Sequence, residues 1–169
     1  MERGAWQVAA SLALAWSGSV FACWDEAAAR YQINPSLLYA IAKCESGLRP
    51  SVVNRSHSAR TSTYDIGLMQ INSSNLRRLK SSGITEDQLY DACTSIQVGA
   101  WILADKIQRY GFSWEAVGAY DAACTELKGK DCDAARSKYA WCVYRNLQAP
   151  PSRAQVVQVT PIIATRVAP

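Results

Sequence analysis

The chain has 169 residues, enough for one domain at roughly 100–200 residues each. Its 49% apolar content is that of a packed core and excludes wholesale disorder. The net charge of +4 and the isoelectric point near 8.8 suit contact with an acidic polymer or surface. The cations are too few and too dispersed for a nucleic-acid face, so nucleic acid is excluded as a partner.

No charged residue occurs from Gly4 to Trp24. The apolar run Val8–Trp16 is broken by Ser17-Gly18-Ser19, too short for the roughly 20 residues that span a bilayer. Val20-Phe21-Ala22 places a small residue before a cut. Residues 1–22 therefore read as a cleaved secretory signal, an uncleaved anchor being the alternative, and the product is exported. Cys23 would then be the first mature residue, and its lipidation would tether the protein to the membrane. Export fits the six cysteines, Cys23, Cys44, Cys93, Cys124, Cys132 and Cys142, as a disulfide framework. They allow 15 connectivities, and the sequence does not choose among them. With no C-x-x-C pair and His57 as the only histidine, no metal site is expected.

From residue 23 the chain reads as short helices. Asn34 is a good N-cap, Pro35 suits the first helical position, Leu37, Leu38, Ile41 and Ala42 recur at helical spacing, and Gly47 stops the helix. Residues 48–65 lack periodicity and read as a loop or small irregular subdomain. An apolar segment, 67–71, precedes a polar helix near 74–81. Capping boxes Thr85…Gln88 and Thr94…Gln97 follow, the second opening a helix that ends before Gly111. Ser113 caps a helix from Trp114 to about Asp121, and a last helix runs from about Asp133 to Leu147. Residues 149–169, with Pro150, Pro151, Pro161 and Pro169, read as a flexible tail. The fold class is mainly α.

Glu45 ends an otherwise apolar helix. There the negative end of the dipole and an apolar surround both disfavour the carboxylate, which is what a general acid near neutrality requires. Gln70 and Asn72 place amides beside apolar residues, suited to orienting sugar hydroxyls and N-acetyl groups. Tyr120 and the segment Tyr139–Val143 read alone as helix faces, and Trp101, Trp114 and Trp141 read as core aromatics.

Together, Glu45-Ser46, Gly67-Leu68-Met69-Gln70-Ile71, Ala119-Tyr120-Asp121-Ala122 and Tyr139-Ala140-Trp141-Cys142-Val143, in this order and spacing, resemble the lytic transglycosylases of the lysozyme-like SLT family. The resemblance spans about Cys23 to Leu147. It is nearest to the small exported members that accompany conjugation machinery, type IV pili and secretion systems. It implies a lysozyme-like, disulfide-stapled single domain over 23–148. The implied activity is cleavage of the MurNAc-β-1,4-GlcNAc bond of peptidoglycan with formation of a 1,6-anhydromuramyl end. Glu45 would be the single acid and base, with no cofactor. Ser46 would support the site, and Met69, Gln70, Asn72, Tyr120 and Tyr139 would lie near the substrate. The implied partners are glycan strands and components of an envelope machine, with the protein acting as a monomer.

Two features depart from the family pattern. Asp121 and Ala123 replace a usual Asn and Gly. Cys44 and Cys142 stand where relatives usually have no cysteine, each beside a motif. The expectation is that these two pair, with Cys23–Cys93 and Cys124–Cys132 completing the set. A hydrolytic muramidase using Asp65 or Asp121 as second carboxylate is the nearest rival. A non-catalytic peptidoglycan-binding assembly protein is the other.

Overall fold

A computed structural model describes residues 20–124 and 126–148. The expected leader thus lies outside the described residues except for 20–22, which open the first helix. The expected tail lies wholly outside them.

Among the described residues, seven α-helices and one small sheet follow in chain order. Helix α1 (Val20–Tyr31) leads into α2 (Pro35–Ser46). The start of α2 is set as its sequence dictates. The Asn34 side chain accepts from the Ser36 N–H, Pro35 takes the first turn, and Gly47 closes the helix in the left-handed conformation. Leu37, Leu38, Ala40, Ile41 and Ala42 are buried, so α2 lies with most of its surface in the core.

The aperiodic stretch after α2 forms a three-stranded antiparallel sheet, β1 (Val53–Asn54), β2 (Asp65–Ile66) and β3 (Ile71–Asn72), with the short helix α3 (Ser58–Thr61) between β1 and β2. Val53 pairs with Ile66, and Ile66 with Ile71. Strands of two residues are too short to show a period-two pattern, so the sequence offered no strand signal. A 3-10 turn (Ser73–Asn75) and α4 (Leu76–Lys80) form the polar helical segment that follows.

Helix α5 (Ala92–Tyr110) is the central rod. Its cap is Asp91, earlier than Thr94: the Asp91 carboxylate accepts both the Thr94 N–H (2.8 Å) and its hydroxyl (2.9 Å). An aspartate three residues upstream outcompetes a threonine whose own hydroxyl is free to donate. Helix α6 (Trp114–Asp121) is capped by Ser113. Helix α7 (Gly129–Gln148) starts about one turn before the expected Asp133. That turn is polar and has no apolar stripe to announce it, while Asp131 suits its positive end.

Helix α1 packs on α5, α5 on α6, α6 on α7, and α7 returns to α2. The core between them holds Leu38, Ile41, Ile66, Met69, Ile71, Leu89, Ile96, Leu103 and Val143, all fully buried. Three disulfides tie the ring: Cys23–Cys93 joins α1 to α5, Cys44–Cys142 joins α2 to α7, and Cys124–Cys132 closes the α6–α7 loop. Two of the three tryptophans expected in the core are outside it. Trp114 is 47% and Trp141 61% exposed, while Trp101 is half-buried beneath the Arg78 guanidinium, 4.0 Å from its ring centre.

Candidate active site

The end of α2, the turn after β2, the end of α6 and the middle of α7 meet around Glu45. Glu45 is half-buried, and its Oε1 accepts a hydrogen bond from the Tyr139 hydroxyl of α7. The crosslink Cys44–Cys142 runs beside this bond, one residue before Glu45 and three after Tyr139, with Cα atoms 6.1 Å apart. Tyr139 in turn stacks on Tyr120 of α6, ring centres 6.4 Å apart and planes 16° from parallel.

Ser46 is buried, and its hydroxyl donates to the Leu68 carbonyl at 2.7 Å. It also accepts the Arg49 N–H at 3.1 Å. It therefore fastens the end of α2 to the Gly67–Ile71 turn. That turn is held from two further sides. The Met69 N–H donates to the buried Ser95 hydroxyl of α5 (3.1 Å), and the Met69 carbonyl accepts from the Tyr120 hydroxyl (2.9 Å). The Met69 side chain is fully buried, beneath Gly99 of α5. The Gln70 amide donates inward, to the carbonyls of Val52 (3.1 Å) and Gly67 (2.8 Å). These two side chains serve as supports of the turn, and Ser95, which no sequence pattern singled out, is its anchor in the core.

On the sheet side, Asn72 donates its amide to Asp65 Oδ1 (2.8 Å) and Thr63 Oγ1 (3.2 Å), and its carbonyl caps the following turn at Ser74. Asp65 Oδ2 lies 3.6 Å from His57 Nδ1. Asp121 stands at the exposed rim on the last turn of α6.

Burial pushes the Glu45 carboxyl up to about 8 from its ordinary 4.5. The Tyr139 hydrogen bond opposes this by favouring the carboxylate, while the negative charges of Asp121 and Asp65 add to the rise. Asp65 is also raised, chiefly by burial, with the Asn72 hydrogen bond and then His57 pulling it back; Asp121, although the residue as a whole is exposed, moves the same way through partial desolvation of its carboxyl and the charge of Asp65. Both phenols are held well above their usual range, first by burial and next by Glu45. At neutral pH the arrangement therefore holds a protonated carboxyl with one oxygen bonded to a neutral phenol and the other available. A carboxyl so held is chemically able to donate a proton near neutrality, and the hydroxyl beside it is placed to stabilise the carboxylate left behind.

Residues 22–140 match the transglycosylase SLT domain. The chain is similar to the invasion protein IagB of Salmonella typhi, 45% identical over 139 residues, which covers 82% of each chain. It is 42% identical over 124 residues to the protein IpgF of Shigella flexneri, covering 73% of this chain and 77% of that one. Its fold is shared with an inactive mutant of lytic transglycosylase Slt from Pseudomonas aeruginosa. The TM-score there is 0.58 at 18% identity, covering 75% of this chain but only 23% of that longer one. The helices, the disulfide-stapled ring and the four motifs gathered at Glu45 thus have one family context: this chain belongs to the transglycosylase SLT family.

Proposed function

We propose that the protein is a peptidoglycan lytic transglycosylase that cleaves the MurNAc-β-1,4-GlcNAc bond and leaves a 1,6-anhydromuramyl end. The observation that carries this is Glu45, kept protonated to about pH 8 and hydrogen-bonded through one oxygen to Tyr139.

Two-carboxylate glycosidases divide the work between an acid and a nucleophile or base. Here one residue serves twice. The Glu45 proton goes to the bridging oxygen as the bond from that oxygen to the muramic acid C1 breaks. The substrate's own N-acetyl oxygen shares the positive charge at C1. Glu45, now a carboxylate stabilised by the Tyr139 hydroxyl, takes the proton from the C6 hydroxyl as that oxygen closes on C1. No water is consumed and Glu45 ends protonated, ready for the next bond. The burial that raises Glu45 favours the first step, and the Tyr139 bond favours the second.

Hydrolysis by the two-carboxylate route needs a second carboxylate free to act on water or on C1. Asp65 is engaged by Asn72 and His57, and Asp121 stands at the rim, so the geometry favours the one-carboxylate route. The purified protein should release fragments from insoluble peptidoglycan whose ends are one water lighter than hydrolysed ends, as read by mass spectrometry. Glu45→Gln should lower release at least about 1,000-fold while leaving the circular dichroism unchanged; release at the unaltered rate would refute the assignment. Fragments with reducing ends would favour the muramidase reading.

Among the described residues no helix is long and apolar enough to cross a membrane. With residues 1–22 read as a leader, the protein acts in the periplasm. The likeness to a protein named for invasion supports local opening of the wall for an envelope-spanning machine.

A further inference from the structure

Trp141 lies two residues after Tyr139 on α7, about 200° round the helix from the phenol that holds Glu45. Tyr144, five residues after it, is displaced by about 140°. Both point away from the site, to the outer face shared with α6. There Trp114, Trp141 and Tyr144 are 47%, 61% and 39% exposed. Tyr144 sits between the two indoles, edge-on to each, with centroids 5.6 Å from Trp114 and 5.4 Å from Trp141. With Ser137 and Ala140 the three rings enclose a shallow hollow of about 280 Å³.

We propose that this hollow is a second, non-catalytic binding site for a peptidoglycan glycan strand, with the exposed indole and phenol rings as stacking faces for a sugar ring. The proposal rests on the reading of the chain as a peptidoglycan-cleaving protein. Edge-to-face packing fixes the rings against one another, and their exposure leaves aromatic surface open to solvent. Such faces take the axial C–H surface of a pyranose, while the Ser137 hydroxyl offers a polar partner at the margin. The hollow is smaller than the roughly 300–1,000 Å³ pockets that enclose drug-sized ligands. It has room for one ring of a strand that continues on either side.

Charge selects among occupants. Lys138 and Arg145, three residues before and four after Trp141, share its helical face and are exposed. They complement the free carboxylates of peptide stems beside the sugars. The site also explains an economy of the fold. A single rigid helix carries Tyr139 towards the acid and Trp141 towards a neighbouring strand, so the enzyme would be retained on the wall between cleavages.

The experiment is co-sedimentation of the full chain, carrying Glu45→Gln so that the strands survive, with insoluble peptidoglycan. Adding Trp141→Ala and Tyr144→Ala should raise the apparent Kd about tenfold. Trp141→Phe, which keeps an aromatic face, should retain most of the affinity. In the Glu45 background, the double alanine variant should cleave a short soluble glycan that fills only the catalytic site at the unaltered rate. Peptidoglycan binding that is unchanged in the double variant overturns the proposal. So does binding to phosphatidylglycerol vesicles that the double variant abolishes while peptidoglycan binding persists, since that assigns the face to a membrane. Release of anhydro ends by the unaltered chain is scored separately, so failure of the catalytic reading is distinguishable from failure of this site.

Discussion

Glu45 and Tyr139 form the smallest unit on which the chemistry depends. Burial lifts the Glu45 carboxyl to about 8, and the Tyr139 hydroxyl restrains that rise by stabilising the charged form. Activity should therefore hold through neutrality and fall as pH rises through about 8, as the proton to be donated is lost. Stability follows the same sign. A carboxyl raised on folding contributes stability that is fully present below its ordinary 4.5 and is lost as pH rises through about 8. The urea midpoint of the wild type should thus fall between pH 5 and pH 8 relative to Glu45→Gln, which has nothing to titrate there. Parallel curves for the two proteins would mean the carboxyl is not held protonated. Tyr139→Phe removes the one contact that favours the carboxylate. Its alkaline limb should move to higher pH, with a lower plateau because the second proton transfer loses its support. A pH–rate profile reads both changes.

At the scale of elements, the site exists because α6 and α7 approach closely enough to stack Tyr120 on Tyr139. Gly118 permits this. A Cβ built there would stand 2.7 Å from the Arg136 Cβ and carbonyl oxygen, and 2.9 Å from its Cα. Arg136 seals the contact from the other side. It is buried, paired with Glu115, and donates to the Ala122 carbonyl (3.1 Å) and the Tyr110 hydroxyl (3.1 Å). Gly118→Ala must push backbone against backbone, so it should cost about 1–3 kcal/mol in chemical denaturation. It should also lower turnover disproportionately, because the displaced helix carries Tyr120 and, through it, the Met69 carbonyl of the turn.

Over the whole molecule, the disulfides rank by the length of chain they close. Cys44–Cys142 spans 98 residues, Cys23–Cys93 spans 70 and Cys124–Cys132 spans 8. Restriction of the unfolded chain alone predicts about 4–5 kcal/mol for each of the first two and about 2.5 kcal/mol for the last. Replacing each pair by alanines and measuring unfolding should reproduce that order. Loss of Cys44–Cys142 should also reduce turnover beyond the other pairs, since that bond flanks the contact of Glu45 with Tyr139.

Much of this was legible in the chain. Asn34, Pro35 and Gly47 bound α2 by local backbone chemistry, and periodic apolar residues marked α2 and α5, because capping and burial of one helical face are encoded within a few residues. The sequence by itself determined a mainly helical domain and, through four spaced motifs, its family. What only the tertiary structure decided is which groups meet. The two-residue strands carry no periodicity, and their pairing depends on partners elsewhere in the chain. The burial of Met69 and the inward amide of Gln70 depend on α5 and β1 lying against the turn. Trp114 and Trp141 are outside the core because the α6–α7 pair turns their faces outward, which their apolar character alone would not reveal. The proton affinity of Glu45 is likewise a property of its surroundings: its rise comes first from burial, which only the packed fold supplies, and is then adjusted by groups 20 to 94 residues away along the chain, lowered by the Tyr139 hydrogen bond and raised further by Asp121 and Asp65.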